Sequence, residues 1–190
     1  MFAPIVFHML LKTLVLPVKC TPARSRCDNT ASLIICASPG TKFTTPGGSP
    51  IFFIFTSPGS VNGTFVIDGV VGDYLCDRFG LLSDAPLTAV IKDNRLVEAR
   101  SDNKDLENAF WSYTHTDENS DRVGEFAIGT NIELRDLIGH ILQDEKFPGI
   151  HIAFGDPYGA HTGANWSSST HIDVVGTRFD IWVDDEQIMR

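Results

Sequence analysis

The chain has 190 residues, 43% of them hydrophobic, and a formal net charge of -9. That length and apolar content suffice for one sizeable core, and the acidic balance argues against a nucleic-acid backbone as the main partner. The charge is uneven: residues 1–40 carry Lys12, Lys19, Arg24 and Arg26 against Asp28 alone, so a basic leading segment precedes an acidic remainder.

Met1–Val18 is apolar but is interrupted by Pro4, His8, Lys12 and Pro17. It has neither a charged leading region nor a small-residue cleavage site, so a signal peptide is not expected. No stretch offers the ~20 clean apolar residues that span a bilayer, so no membrane partner is expected. Cys20, Cys27, Cys36 and Cys76 form no CxxC pair and no zinc spacing, which points to a reducing, cytoplasmic compartment. Residues 1–49 are rich in Thr, Ser, Pro and Gly and show no sustained period. They read as an irregular N-terminal segment outside the core, with a domain over 50–190.

From Ser49 onward the pattern is orderly. Ile51–Thr56 and Gly63–Asp68 read as strands around the turn Ser57-Pro58-Gly59. Leu87–Lys92 and Arg95–Ala99 flank Asp93-Asn94, a hairpin signature. Leu106, Ala109, Phe110 and Tyr113 recur at i, i+3, i+4 and i+7, which predicts a helix with Asp102 available as its cap. A second helix is predicted from the apolar face Leu134, Leu137, Ile138, Ile141 and Leu142, with Thr130 and Glu133 at capping-box spacing. Val123–Ile128, Ile150–Phe154 and Thr170–Val175 read as strands. A last hairpin, Phe179–Val183 with Gln187–Met189, turns on Asp184-Asp185. Strands outnumber helices and several pairs are hairpins, so the fold class is α+β: a mixed, largely antiparallel sheet with two main helices.

Chemistry concentrates in the last third. In Thr170-His171-Ile172-Asp173, alternate side chains of a strand share a face, so His171 and Asp173 project together as a metal site requires. Glu125 stands inside the apolar strand Gly124-Glu125-Phe126-Ala127-Ile128, where a carboxylate is costly to bury without a partner. His151 stands likewise inside Ile150-His151-Ile152-Ala153-Phe154, shortly after Glu145. Tyr158 lies in the Gly- and Pro-rich loop Gly155-Asp156-Pro157-Tyr158-Gly159. Each feature alone also reads as a solvated or hydrogen-bonded structural residue.

The ordered set GEFAIGTN, DEK shortly before HIAFG, a Tyr seven residues after that His, and THID resembles the M29-type (aminopeptidase T) metallo-aminopeptidases. The resemblance runs from about Ser60-Val61-Asn62-Gly63 to the C-terminus. It implies a centre in which Glu125, Glu145, His151, His171 and Asp173 hold two divalent ions (zinc, cobalt or magnesium), with Glu125 and Tyr158 catalytic. It further implies a peptide substrate with a free N-terminus and a homodimer. In such a centre Glu shuttles a proton to the leaving amine and Tyr158 hydrogen-bonds the oxyanion.

Three departures stand out. The family's upstream Glu ligand would fall near Ile51, and no Glu precedes Glu98. The family's N-terminal α/β domain has no counterpart in residues 1–49, and the chain stops where a final hairpin would continue. A truncated or mis-started gene product accounts for all three. Two other functions remain open. One is a mononuclear non-haem iron ring-cleaving dioxygenase of the same fold family, for which two His and one carboxylate suit ferrous iron. Those relatives favour His at the position of Glu125. The other is a degenerate, non-catalytic fragment.

Overall fold

The computed structural model describes residues 61–162, 164–177, 179–183 and 186–189, together with four earlier strands. Those strands are β1 (Leu14–Lys19), β2 (Ser32–Ala37), β3 (Phe43–Thr44) and β4 (Ile51–Ile54). They are followed by β5 (Val61–Ile67), α1 (Asp73–Phe79), β6 (Leu87–Lys92), β7 (Arg95–Ser101), α2 (Lys104–Tyr113) and β8 (Val123–Gly129). The rest are α3 (Ile141–Asp144), β9 (Gly149–Gly155), α4 (Gly159–Thr162), β10 (His171–Gly176), β11 (Ile181–Val183) and β12 (Glu186–Met189).

Two antiparallel sheets carry the fold, in the orders β1-β2-β5-β6-β7 and β10-β9-β8-β4-β3, beside the ribbon β11-β12. The expected α+β class is what is observed. The β6–β7 hairpin turns on Asp93 and Asn94, both at positive φ (49° and 68°), the geometry a twisted two-residue turn demands. Asn94 is itself buried and donates through Nδ2 to the Val123 carbonyl at 2.8 Å, tying this turn to the start of β8.

A single apolar cluster joins the inner faces of both sheets. Phe65, Leu87, Leu96, Phe126, Ile152, Phe154 and Val174 come from the strands, with Leu106 and Phe110 from α2. Phe110 meets Phe154 edge-on with ring centroids 5.9 Å apart. The chain after β5 crosses between the sheets and runs along the free edge of β10: Val71 bridges Val174, and the Gly72 N–H donates to the Asp173 carbonyl at 2.7 Å. Strands β8 and β9 are buried along their whole length. Their apolar runs therefore follow from covered faces, and any polar side chain in them must find a partner.

Two expectations are corrected. The helix predicted across Leu134–Leu142 is only the single turn α3. Gly139 sits at φ 77°, and the buried Asp144 carboxylate accepts the N–H groups of Ile138, Gly139 and His140. Those are donors that a continuous helix would have spent on its own carbonyls. Ile138 and Leu142 accordingly stay exposed. Helix α2 is capped by Asn103, whose Oδ1 accepts from Asp105 and Leu106, and not by Asp102. Within residues 1–49 lie β1, β2 and β3, and β2 pairs with β5 through Leu33↔Gly63, Ile34↔Asn62 and Ile35↔Val61. Asp184 and Asp185, the expected tip of the last hairpin, lie outside the described residues, while β11 and β12 pair as expected.

Candidate metal centre

The centre is assembled by register on three neighbouring strands. Glu125 on β8 and Asp173 on β10 both stand opposite Ala153 of β9. His151 of β9 stands one pleat along, between Ala127 and Val175, and His171 pairs with Gly155. Side chains directly opposite or two apart share a face, so all four functional groups project from the same side of the sheet. Small residues make room for them: Ala127, Ala153 and Gly155 are the neighbours across the strands.

The groups meet. Glu125 Oε1 is 3.0 Å from His151 Nε2, and its Oε2 is 3.5 Å from His171 Nε2. His171 Nε2 is also 3.4 Å from Asp173 Oδ1. Glu125, His151 and Asp173 each offer a ligand atom within 4.8 Å of the others. Burial is deep, with Glu125 4% and His151 1% exposed.

Both imidazoles are oriented by backbone carbonyls. His151 Nδ1 lies 3.2 Å from the Glu145 oxygen, and His171 Nδ1 lies 2.8 Å from the Asp156 oxygen. A carbonyl only accepts, so each Nδ1 carries the hydrogen and each Nε2 faces the carboxylates. A neutral Nε2 is a lone pair, and a lone pair 3.0 Å from a carboxylate oxygen is repulsive unless a proton or a cation lies between them. A proton on Nε2 meets that demand, and so would a metal ion, for which two carboxylates and two pre-oriented imidazole nitrogens are a fitting donor set.

Proton affinities in the metal-free centre report the same demand. Burial works against a charged His151, but the hydrogen bond and charge of Glu125, with Asp173 and Glu145 behind it, outweigh burial and raise its pKa. Burial likewise opposes the His171 cation, yet Asp173, the Asp156 carbonyl and Glu125 push it up to about 9. Burial would raise the Asp173 carboxyl, and the adjacent His171 reverses this and holds it low.

Tyr158 lies beside the centre, its ring centroid 4.5 Å from that of His171 and the residue itself 46% exposed. Burial, followed by Asp173 and Glu125, raises its phenol, which thus stays a donor at neutral pH. Glu145 is placed differently from the other expected ligands. Its carboxylate pairs with Lys146 at 2.7 Å, and its carbonyl is what reaches His151. Asp68, a conceivable substitute ligand, is engaged by the Thr177 N–H at 2.7 Å and the Thr177 hydroxyl at 3.0 Å.

Asp156 and Asp117 were not legible as contributors. Asp117 accepts from the Ser168 hydroxyl and from both the N–H and hydroxyl of Ser169, which fixes the segment leading into β10. Only the turn-forming sequence Asp156-Pro157-Tyr158-Gly159 hinted at the first of them.

Fold and site together define a sheet-borne carboxylate–imidazole cluster that could hold a metal ion. No protein-family model and no curated protein matches the sequence. Among solved structures, the chain is similar to 2,5-dihydroxypyridine dioxygenase from Pseudomonas putida KT2440, at a TM-score of 0.67 and 14% identity. That alignment covers 94% of this chain and 54% of the dioxygenase. It is also similar to wild-type AmpT from Thermus thermophilus, at a TM-score of 0.59 and 18% identity, over 89% of this chain and 45% of AmpT. The chain thus spans about half the length of each of these proteins, and at these identities the likeness is one of fold.

Proposed function

We propose that this chain is a divalent-metal-binding hydrolase domain of the aminopeptidase type, acting on peptides with a free N-terminus. The observation that carries the reading is the convergence of Glu125, His151, His171 and Asp173 on one sheet face, with both imidazoles turned inward by backbone carbonyls. The likeness of fold to AmpT and the ordered sequence motifs support it. A divalent ion held by these four residues would supply Lewis acidity and bring the pKa of a bound water toward neutrality. Glu125 spans both imidazoles and is the carboxylate placed to take and return a proton. Tyr158 is placed to donate a hydrogen bond to an oxyanion developing beside His171.

The second reading is a mononuclear ferrous dioxygenase. It is favoured by the likeness to the pyridine-ring dioxygenase and by the His151, His171 and Asp173 set, which suits iron with open positions. Glu125, the carboxylate bridging both imidazoles, tilts the reading toward hydrolysis. Metal analysis of the purified chain, paired with assays of amino-acid anilide hydrolysis and of oxygen-dependent dihydroxypyridine cleavage, separates the two. One oxygen-sensitive iron with ring cleavage would overturn the hydrolase reading.

A further inference from the structure

The loop after β9 holds one residue that bonds both Tyr158 and His171. The Asp156 N–H donates to the Thr170 carbonyl at 2.6 Å, and the Asp156 carbonyl accepts from His171 Nδ1 at 2.8 Å. Its carboxylate works on the other side. Oδ1 accepts the Tyr158 N–H at 2.8 Å, and Oδ2 accepts the Ser168 N–H at 3.2 Å. The Tyr158 bond closes a two-residue turn that holds Tyr158 at φ 51°, a conformation a bulky residue rarely keeps without outside restraint. In that conformation the Tyr158 ring lies against His171.

We infer that Asp156 is a positioning residue that locks Tyr158 and His171 into one arrangement. Its backbone sets the imidazole, and its carboxylate sets the tyrosine and the segment leading into β10. This rests on the metal-centre reading for its consequence but not for its geometry. Removing the carboxylate frees the Tyr158 and Ser168 N–H groups together. The Asp156 carbonyl then loses the straps on either side that aim it at His171. Substitutions of groups that orient metal ligands cost about 10–100-fold in metal affinity, and the same loss is expected here.

The test uses the full 190-residue chain, with zinc alone as the probe. Asp156→Ala removes both carboxylate bonds. Asp156→Glu keeps the charge but is too long to close the turn, and it serves where the alanine variant does not fold. Asp156→Asn keeps an oxygen for Tyr158 and offers Ser168 only a donor. In the zinc-free chain, the His171 Hε1 proton resonance, assigned by its loss in His171→Ala, should be shifted upfield by the Tyr158 ring. That shift should vanish in Asp156→Ala and Asp156→Glu and persist in Asp156→Asn, while zinc affinity falls about 10–100-fold in the first two. A purely structural role would lower the melting temperature of all three without this pattern. If Ala and Glu leave the resonance and the zinc affinity at wild-type values, the inference is wrong. If the resonance moves as expected but the wild-type chain binds no zinc, positioning stands and the metal reading falls.

Discussion

Glu125→Gln separates a metal centre from a buried ion pair. The amide is nearly isosteric, and its N–H can donate to the His151 Nε2 lone pair, so the metal-free fold should survive with little loss. What disappears is the one anionic group that reaches both imidazoles, at 3.0 Å from His151 and 3.5 Å from His171. For the wild-type chain, zinc at a hundred times its Kd should add about 2.7 kcal/mol to stability. At roughly 2–4 °C per kcal/mol for a chain of this size, the melting temperature should rise by about 5–11 °C. Losing a ligand should cost about 100-fold in affinity or more, beyond the effect of groups that merely orient ligands. At the same zinc concentration the variant then gains only about 0.4 kcal/mol, or roughly 1–2 °C. Thermal melts with and without zinc measure both. A Glu125→Gln chain that zinc stabilises as strongly as wild type would refute the assignment of Glu125 as a ligand.

Other predictions follow from single contacts. Gly124→Ala places a Cβ 2.5 Å from the Gly155 carbonyl, against backbone that cannot yield. It should cost about 1–3 kcal/mol in a denaturant titration and weaken zinc binding through the shift of Glu125. Asp144→Ala strips the acceptor from three N–H groups, and amide exchange at Ile138, Gly139 and His140 should accelerate together, with stability down by about 2–3 kcal/mol. Asp117 is held below the ordinary carboxylate range by its hydrogen bonds, first from the Ser169 N–H and hydroxyl. A depressed carboxyl stabilises the fold above its unfolded pKa of about 3.9 and loses that contribution as pH falls below it. Asp117→Asn should therefore flatten the acid limb of a stability–pH curve, and an unchanged limb would count against the Asp117 latch.

Legibility in the sequence tracked how local the determining physics is. The Asp93-Asn94 hairpin and strands β8, β9 and β10 were readable because turn chemistry and apolar runs lie within a few residues. The polar intruders Glu125, His151, His171 and Asp173 were readable for the same reason, since each interrupts an apolar or alternating pattern. The helix across Leu134–Leu142 misled because its periodicity is real, while its fate is set by Asp144 reaching back across Gly139. Glu145 is adjacent to the centre in sequence and space, but Lys146 takes its carboxylate. Helix α1 carries too short a pattern to announce itself. The work of Asp156 and Asp117 depends on Ser168 and Ser169, 12 and more residues away, which no local pattern encodes.

The carboxylate that the resemblance to the M29-type enzymes would put upstream yields a gain-of-function test. Strand β4 pairs with β8 in the register Phe53↔Ala127, and Ala127 in turn stands opposite His151. Position 53 therefore lies in the same cross-strand row as His151, on the pleat that also carries Glu125. The strand reads Ile51-Phe52-Phe53-Ile54 and offers no ligating atom. Ala127, the residue between position 53 and His151 in that row, is small. A glutamate placed at 53 would add a third carboxylate to a set that now has two. Without metal, Phe53→Glu should destabilise the chain, because a further carboxylate in the row beside Glu125 adds like charge with no cation to offset it. With zinc or cobalt, the loss should be recovered and the bound metal should rise above the single ion expected of the wild-type chain. Anilide hydrolysis should rise with it. Inductively coupled plasma metal analysis and paired melts decide the matter. If Phe53→Glu binds no more metal than wild type and is no more stabilised by it, β4 is not where the absent ligand belongs.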